Sequence, residues 1–274
     1  MRSPSACNGP PRPPADPASS VATACSKASL SGVKGLYHSN AVDCVTQFAL
    51  VATCARLSEA ALLAVLDSLL EGFPFQLLGF HSDNGSEYIN RTVAEVLEKL
   101  RIEFTQSRPR HRTDNALVET NNSAIVRKHR GYTPIPQRYA VPVNAFCRDC
   151  LNPYVNFHRP CFFAETFTDA TGKLRKRYPY AHLLTPYDQL KSLPDAHQFL
   201  KPGSTFAQLE AKAAQLSDND AARALNDART RLCQAIHARP QRRACGQPPP
   251  TTAPTPDCRR NRCAEQQRTK INRL

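Results

Sequence analysis

The sequence predicts an α/β fold, a mixed sheet flanked by helices, with a small, mostly helical C-terminal extension and disordered ends. Three observations lead there. Short runs rich in β-branched and aromatic residues alternate with longer runs whose leucines and valines recur at helical spacing. The 274 residues give enough length to bury a sizeable core. Both ends change texture: the first 31 residues are crowded with Pro, Ser and Ala, and the last 36 with Pro and Arg.

Taken in order, residues 1–31 hold Pro10, Pro11, Pro13, Pro14 and Pro17 close together and are expected to stay disordered. Residues 36–42 and 48–54 read as strands joined by a hairpin connection over 43–47. Ser58 offers an N-cap to a helix with Leu62, Leu63, Leu66, Leu69 and Leu70 on one face, stopped by Gly72 and Pro74. The apolar run 75–80 reads as a short buried strand. A Thr92-x-x-Glu95 capping box opens a helix carrying Val93, Val96, Leu97 and Leu100, and residues 102–105 form the next strand. Asp114 caps a helix that runs to about His129, with Glu119 one turn in. Further helices are expected over 139–151, 205–216 and 218–237, with Lys173 to Arg177 as a basic cluster in a hairpin around Gly172. The domain limits that follow are a disordered segment 1–31, a core 32–165, a helical extension 166–238 and a basic tail 239–274.

Charge narrows the partners. The formal charge is +13 and the pI about 9.4, which favours polyanions. Part of this is local: residues 239–274 hold nine Lys/Arg against two acids, a net +7 that also fits a solvated tail. The eleven cysteines come without a secretory signal, so reduced thiols in a cytoplasmic protein are expected. No apolar stretch approaches the ~20 residues of a membrane helix. Cys147-x-x-Cys150 with His158 and Cys161 mimics a zinc knuckle, but irregular spacing and the intervening Pro153 and Pro160 favour thiols packed in a helix core.

The chemistry concentrates between His81 and Lys128. Asp83-Asn84-Gly85 follows the strand 75–80, and 35 residues separate Asp83 from Glu119. Arg108, Arg110 and Arg112 precede the Glu119 helix, Arg127 and Lys128 close it, and Asn115 and Asn122 flank the glutamate, Asn122 one turn on along the same face. Two carboxylates on a strand end and a later helix, among cations, suit a divalent metal held against a phosphodiester. The plainer reading is a turn aspartate and a solvated glutamate.

Asp83-Asn84-Gly85, the 35-residue gap and Glu119 resemble the second and third acids of the DDE family, the integrase and transposase catalytic core with a ribonuclease H-like fold. The surrounding text is most similar to bacterial insertion-sequence transposases with retroviral-integrase-like cores, over residues 32–193; Asn152-Pro153 through Arg159-Pro160 resembles the segment that follows such cores. The resemblance implies Asp83 and Glu119 as catalytic and metal-binding, Mg²⁺ or Mn²⁺ as cofactor, and DNA as partner through Arg108, Arg110, Arg112, Asn115, Asn122, Arg127 and Lys128. It implies DNA integration and transposition by strand transfer, a homo-oligomer, no membrane, no small-molecule substrate and a place with DNA in the bacterial cytoplasm.

Ala116 stands where relatives often carry glycine, and the first acid departs further. Where the family has an aspartate on its opening strand, this chain reads Ser19-Ser20-Val21-Ala22-Thr23-Ala24-Cys25-Ser26. Asp16 lies between Pro14 and Pro17, unwelcome in a central strand. Asp43 matches better the aspartate such cores carry at the second-strand turn. Together with the missing N-terminal helix-turn-helix, this reads as a truncated transposase with impaired catalysis; the alternative is a non-catalytic nucleic-acid-binding fragment.

Overall fold

The computed structural model describes residues 7–8, 19–30, 33–56, 58–82, 91–106, 116–131 and 133–238, with backbone alone at 7–8, 19–30, 33–34, 91–92, 106 and 116. All belong to the unit Met1–Ala238. The first half holds β1 (Cys7–Asn8), β2 (Ser19–Leu30), β3 (Val33–Asp43), β4 (Ala49–Cys54), α1 (Glu59–Gly72), β5 (Leu77–Ser82), α2 (Arg91–Lys99) and β6 (Glu103–Gln106). They build a six-stranded sheet in the order β1-β6-β5-β2-β3-β4. β3 runs antiparallel to both its neighbours, whereas β2, β5, β6 and β1 pair in parallel. Tight connections make the antiparallel half, and α1 and α2 serve as the crossovers that parallel pairing requires.

Both faces of this sheet are covered, which explains why β4 is apolar at almost every position and buried throughout. Alternate residues part to opposite sides. Leu50, Ala52 and Cys54 join α1 and α2 in one apolar cluster with Phe73, Phe75 and Phe80. Ala49 and Val51 join Leu36 and Val42 in a second cluster beneath the later helices. Ser58 caps α1 as expected, its side chain accepting from the Ala61 N–H at 3.4 Å. Gly72 ends α1 where a Cβ would stand 2.7 Å from Leu50 Cδ1, so a side chain there would push into β4.

Disorder is the expectation over 1–31, yet Ser19–Leu30 is a strand held between β3 and β5. Ser, Ala, Thr and Cys give this stretch no apolar pattern of its own, and the hydrogen-bonded ladder on each side holds it extended. Arg91 already belongs to α2, which puts Thr92 inside the first turn instead of at the cap.

The second half begins with α3 (Ala116–Asn121), which passes without a break through a π-helical turn (Asn122–Arg127) into α4 (Lys128–Arg130). Another continuous helix joins α5 (Ala140–Phe146), a π-turn (Cys147–Leu151) and α6 (Asn152–Phe157). It runs past the expected end at 151 because Pro153 falls in the first turn after the π-turn, where a missing N–H is tolerated. β7 (Cys161–Phe162) pairs with β10 (Leu183–Leu184), and β8 (Glu165–Thr168) forms a hairpin with β9 (Leu174–Arg177). α7 (Pro186–Lys191), α8 (Ala196–Phe199), α9 (Phe206–Ala213) and α10 (Asp218–His237) complete the described chain. Tyr187, Leu190 and Leu209 enter the first cluster and Leu225 the second, so this extension shares the sheet's cores.

Candidate functional site

β5 ends at Ser82, which is fully buried and lies level with Thr23 of β2 and Gln106 of β6. β5 and β6 thus end level with one another, at the carboxyl ends of a parallel pair, the kind of edge where open α/β sheets bind their ligands. Asp83 is the next residue and lies outside the described residues, as do Arg108, Arg110, Arg112 and Asn115. The chain is described again at α3, which packs on β2 and β3.

Glu119 sits in the first turn of α3 and is exposed, while Val118 beside it is fully buried against Cys44. Arg127 and Lys128 are exposed further along the same helix, with Arg127 Nη1 donating to Ser123 Oγ at 3.4 Å. Asn122 differs. It is 8 % exposed and its Oδ1 is enclosed with no hydrogen-bond partner among the described residues. Glu119 and Asn122 thus do not share one solvent-facing stripe: Asn122 stands four residues after the buried Val118 and turns inward with it.

Asp43 ends β3, fully buried. Its Oδ2 accepts from the Thr46 N–H at 2.7 Å and from Thr46 Oγ1 at 2.6 Å, closing the turn into β4. Burial pushes the carboxyl up to about 6, against the pull of the Thr46 bonds. Two relations separate it from the α3 side. Ser82 is level with Ala41, so Asp43 lies two residues back and two strands across, about 12 Å away on standard sheet spacings. Moreover, Asp43 shares the parity of Ala41, which faces the α1 cluster, whereas Val42 faces the cluster containing Ile125 and Val126.

β2 lies between β5 and β3 and runs Ser19–Leu30 without an Asp or Glu. Among the described residues, no group of three or more His, Cys, Asp or Glu gathers to hold a metal. Cys147 and Cys150 pack in the second cluster, and His158 is 3.0 Å from Asp218, so the knuckle-like residues are engaged separately.

Sequence reasoning did not single out two buried polar groups on the α3 side of the sheet. Asn40 of β3, level with Ala24 of β2, is fully buried with neither amide atom bonded within the described residues. Arg130 of α4 reaches inward to Thr53 Oγ1 at 2.8 Å, and also contacts His38 Nδ1 and Cys147 Sγ. The signal was there for Asn40, a polar residue in the run 36–42; for Arg130, a helix-end cation looks like any solvated one.

Residues 28–112 match the family model of the integrase core domain. The chain is also 32 % identical over 124 residues to an uncharacterized protein, y4rM, of Sinorhizobium fredii (strain NBRC 101917 / NGR234). That stretch covers 45 % of this chain and 35 % of the relative, so the chain spans about a third of the protein it matches. The residues matched by the family model run from β2 to Arg112 and so hold an integrase-core-like segment. No helix among the described residues is long and apolar enough to cross a membrane.

Proposed function

We propose that this chain is an integrase-core protein that binds DNA and whose strand-transfer chemistry is impaired. Support for a ribonuclease H-like arrangement comes from the order β4-β3-β2-β5-β6, an antiparallel meander beside a parallel pair, with the Glu119 helix over β2 and β3. The matched integrase core supports DNA as the partner. Arg108, Arg110, Arg112, Asn115, Arg127 and Lys128 are the residues assigned to its backbone, as salt-dependent, sequence-independent contacts.

The absence of any carboxylate along β2 carries the impaired reading. Phosphoryl transfer through paired divalent ions needs enough carboxylate oxygens to hold both ions about 4 Å apart. Asp83 and Glu119 are the acids assigned to that task. Asp43 is committed to the Thr46 turn on the other face and adds none. Among the described residues, no three His, Cys, Asp or Glu side chains gather to hold Mg²⁺ or Mn²⁺.

The test is a supercoiled-plasmid assay with Mn²⁺, comparing the chain with Asp83→Asn and Glu119→Gln, alongside a salt titration of DNA retention. The expected result is salt-sensitive retention with equal, background nicking in all three proteins. Nicking that disappears in the variants would show a complete site and overturn the impairment. Retention indifferent to salt would remove DNA as the partner.

A further inference from the structure

The β8–β9 hairpin is exposed along nearly its whole length and takes no part in either apolar cluster. Its turn is tightly made. Asp169 accepts from the Thr171 N–H at 2.8 Å, from Thr171 Oγ1 at 2.6 Å and from the Lys173 N–H at 3.0 Å, and Gly172 supplies a φ of +79°. These bonds, with Arg175, hold the Asp169 carboxyl far below the usual carboxylate range.

The register divides the hairpin into two unlike faces. Glu165 stands opposite Arg177 and Phe167 opposite Arg175 on one face; Thr166 stands opposite Lys176 and Thr168 opposite Leu174 on the other. On the first face the cations are engaged within the hairpin. Arg177 Nε donates to Glu165 Oε2 at 2.9 Å and lies 5.5 Å over the Phe167 ring, while Arg175 Nε donates to Asp169 Oδ2 at 2.6 Å. The second face has no acid. It presents Lys176, the hydroxyls of Thr166 and Thr168 and the exposed Leu174, and Lys176 has no carboxylate partner among the described residues; Lys173, whose carbonyl accepts from the Asp169 N–H at 2.9 Å, keeps the parity of Arg175 and belongs to the first face. Tyr178 and Tyr180 follow directly, 58 % and 84 % exposed.

We propose that the acid-free face of the β8–β9 hairpin lies on the sugar–phosphate backbone of duplex DNA, with Lys176, Thr166 and Thr168 as donors to phosphate. The proposal rests on the DNA-binding reading above and adds a binding surface outside the core. Charge selects the occupant: two hydroxyls and an ammonium group without a carboxylate match a row of phosphates, which are contacted by these residue types. A two-stranded ribbon also has the width that a major groove admits. Internal pairing of Arg175 and Arg177 keeps the ribbon rigid, so little ordering is required when DNA arrives. A second copy of this chain is disfavoured, because two such faces would set lysine against lysine.

The experiment measures the affinity of the full chain for a short duplex over a range of salt, for the native sequence, for Lys176→Gln and, as a control on the opposite face, for Lys173→Gln. Each cation withdrawn from a phosphate makes the slope of log K against log salt shallower by about 0.9, so Lys176→Gln is expected to be shallower by that amount and Lys173→Gln to keep the native slope. Circular dichroism and light scattering on all three proteins check the fold and the mass. An unchanged slope in Lys176→Gln, with native DNA binding intact, overturns the hairpin's role and leaves the DNA-binding reading standing. Absence of salt-sensitive binding by the native chain overturns both. A change of mass in Lys176→Gln with an unchanged slope assigns the face to self-association and also overturns the proposal.

Discussion

The Asn156 carboxamide occupies the place of a neighbouring strand at Ala49: Oδ1 accepts from the Ala49 N–H at 2.7 Å and Nδ2 donates to its carbonyl at 2.8 Å. Asn152 does the same for Val51 and Asn144 for Thr53. β4 is the last strand of the sheet, and an uncovered edge is a template for pairing with another chain. One helix therefore closes that edge with side chains spaced to meet alternate strand residues. Eight residues, from Asn144 to Asn152, make roughly 2.2 turns of a regular α-helix. The intervening wider π-turn brings the two asparagines back to the same side.

Asn156→Ala is expected to be destabilising by about 2–3 kcal/mol, because it leaves a buried donor and acceptor of Ala49 unmet. Asn152→Ala should cost less, since its second bond is 3.3 Å and its surroundings are only part-buried. Urea denaturation monitored by circular dichroism measures both. Equal and small losses would mean that water replaces the asparagines at no cost.

The alternation of strands and helices was legible from residue 36 onward because β3, β4, α1 and β5 carry their own apolar patterns. β2 was not, since its stability comes from neighbours on either side and its text of Ser, Ala and Thr shows nothing of them. The asparagines were visible as letters, yet their purpose depends on a strand about a hundred positions away. At the site, Glu119 could be placed on a helix from the sequence. The inward turn of Asn122 follows from its place between Val118 and Ile125 on the apolar face, which a reading centred on Glu119 passed over.

Glu119→Gln should leave stability within about 0.5 kcal/mol of the native protein, as expected for an exposed residue away from packing and caps. The same urea curves measure it. A larger loss would show that the carboxylate has a structural partner beyond the described residues, and the variant would then be unsuitable as a catalytic control.

Asp43 predicts a pH dependence of stability. Its carboxyl rises from the usual 3.8 to about 6 on folding, so between those values the native state holds a proton that the unfolded state has released. The stabilisation is complete below about pH 4 and is lost as pH rises through 6, on the order of 2–3 kcal/mol. Asp43→Asn should flatten this part of the profile, measured by urea midpoints from pH 4 to 7. An identical slope in the variant would assign the dependence to other groups.

Arg130 gives the sharpest energetic test. Its guanidinium meets Thr53, His38 and Cys147, no acid contributes to its electrostatics, and Nε is enclosed without a partner among the described residues. Burial pushes it down to about 9, and burial together with Arg130 holds His38 well below the usual imidazole range. His38 therefore stays neutral and its Nδ1 accepts. A folded pKa below the unfolded one means that the native state binds the proton less readily, so the charge weakens the fold at neutral pH and that loss recedes as pH rises above 9. Arg130→Met keeps the volume and the stem while removing the charge, and replacing buried ionic groups by apolar ones is often neutral or stabilising by about 1–4 kcal/mol. The urea midpoint at pH 7 should hold or rise in Arg130→Met. Thr53→Val should lower it by about 1–3 kcal/mol, because the guanidinium remains and loses an acceptor. In the double variant the Thr53 loss should shrink, since nothing is then left waiting for the hydroxyl. A fall of more than about 1 kcal/mol in Arg130→Met alone would show that its bonds to His38 and Thr53 outweigh desolvation.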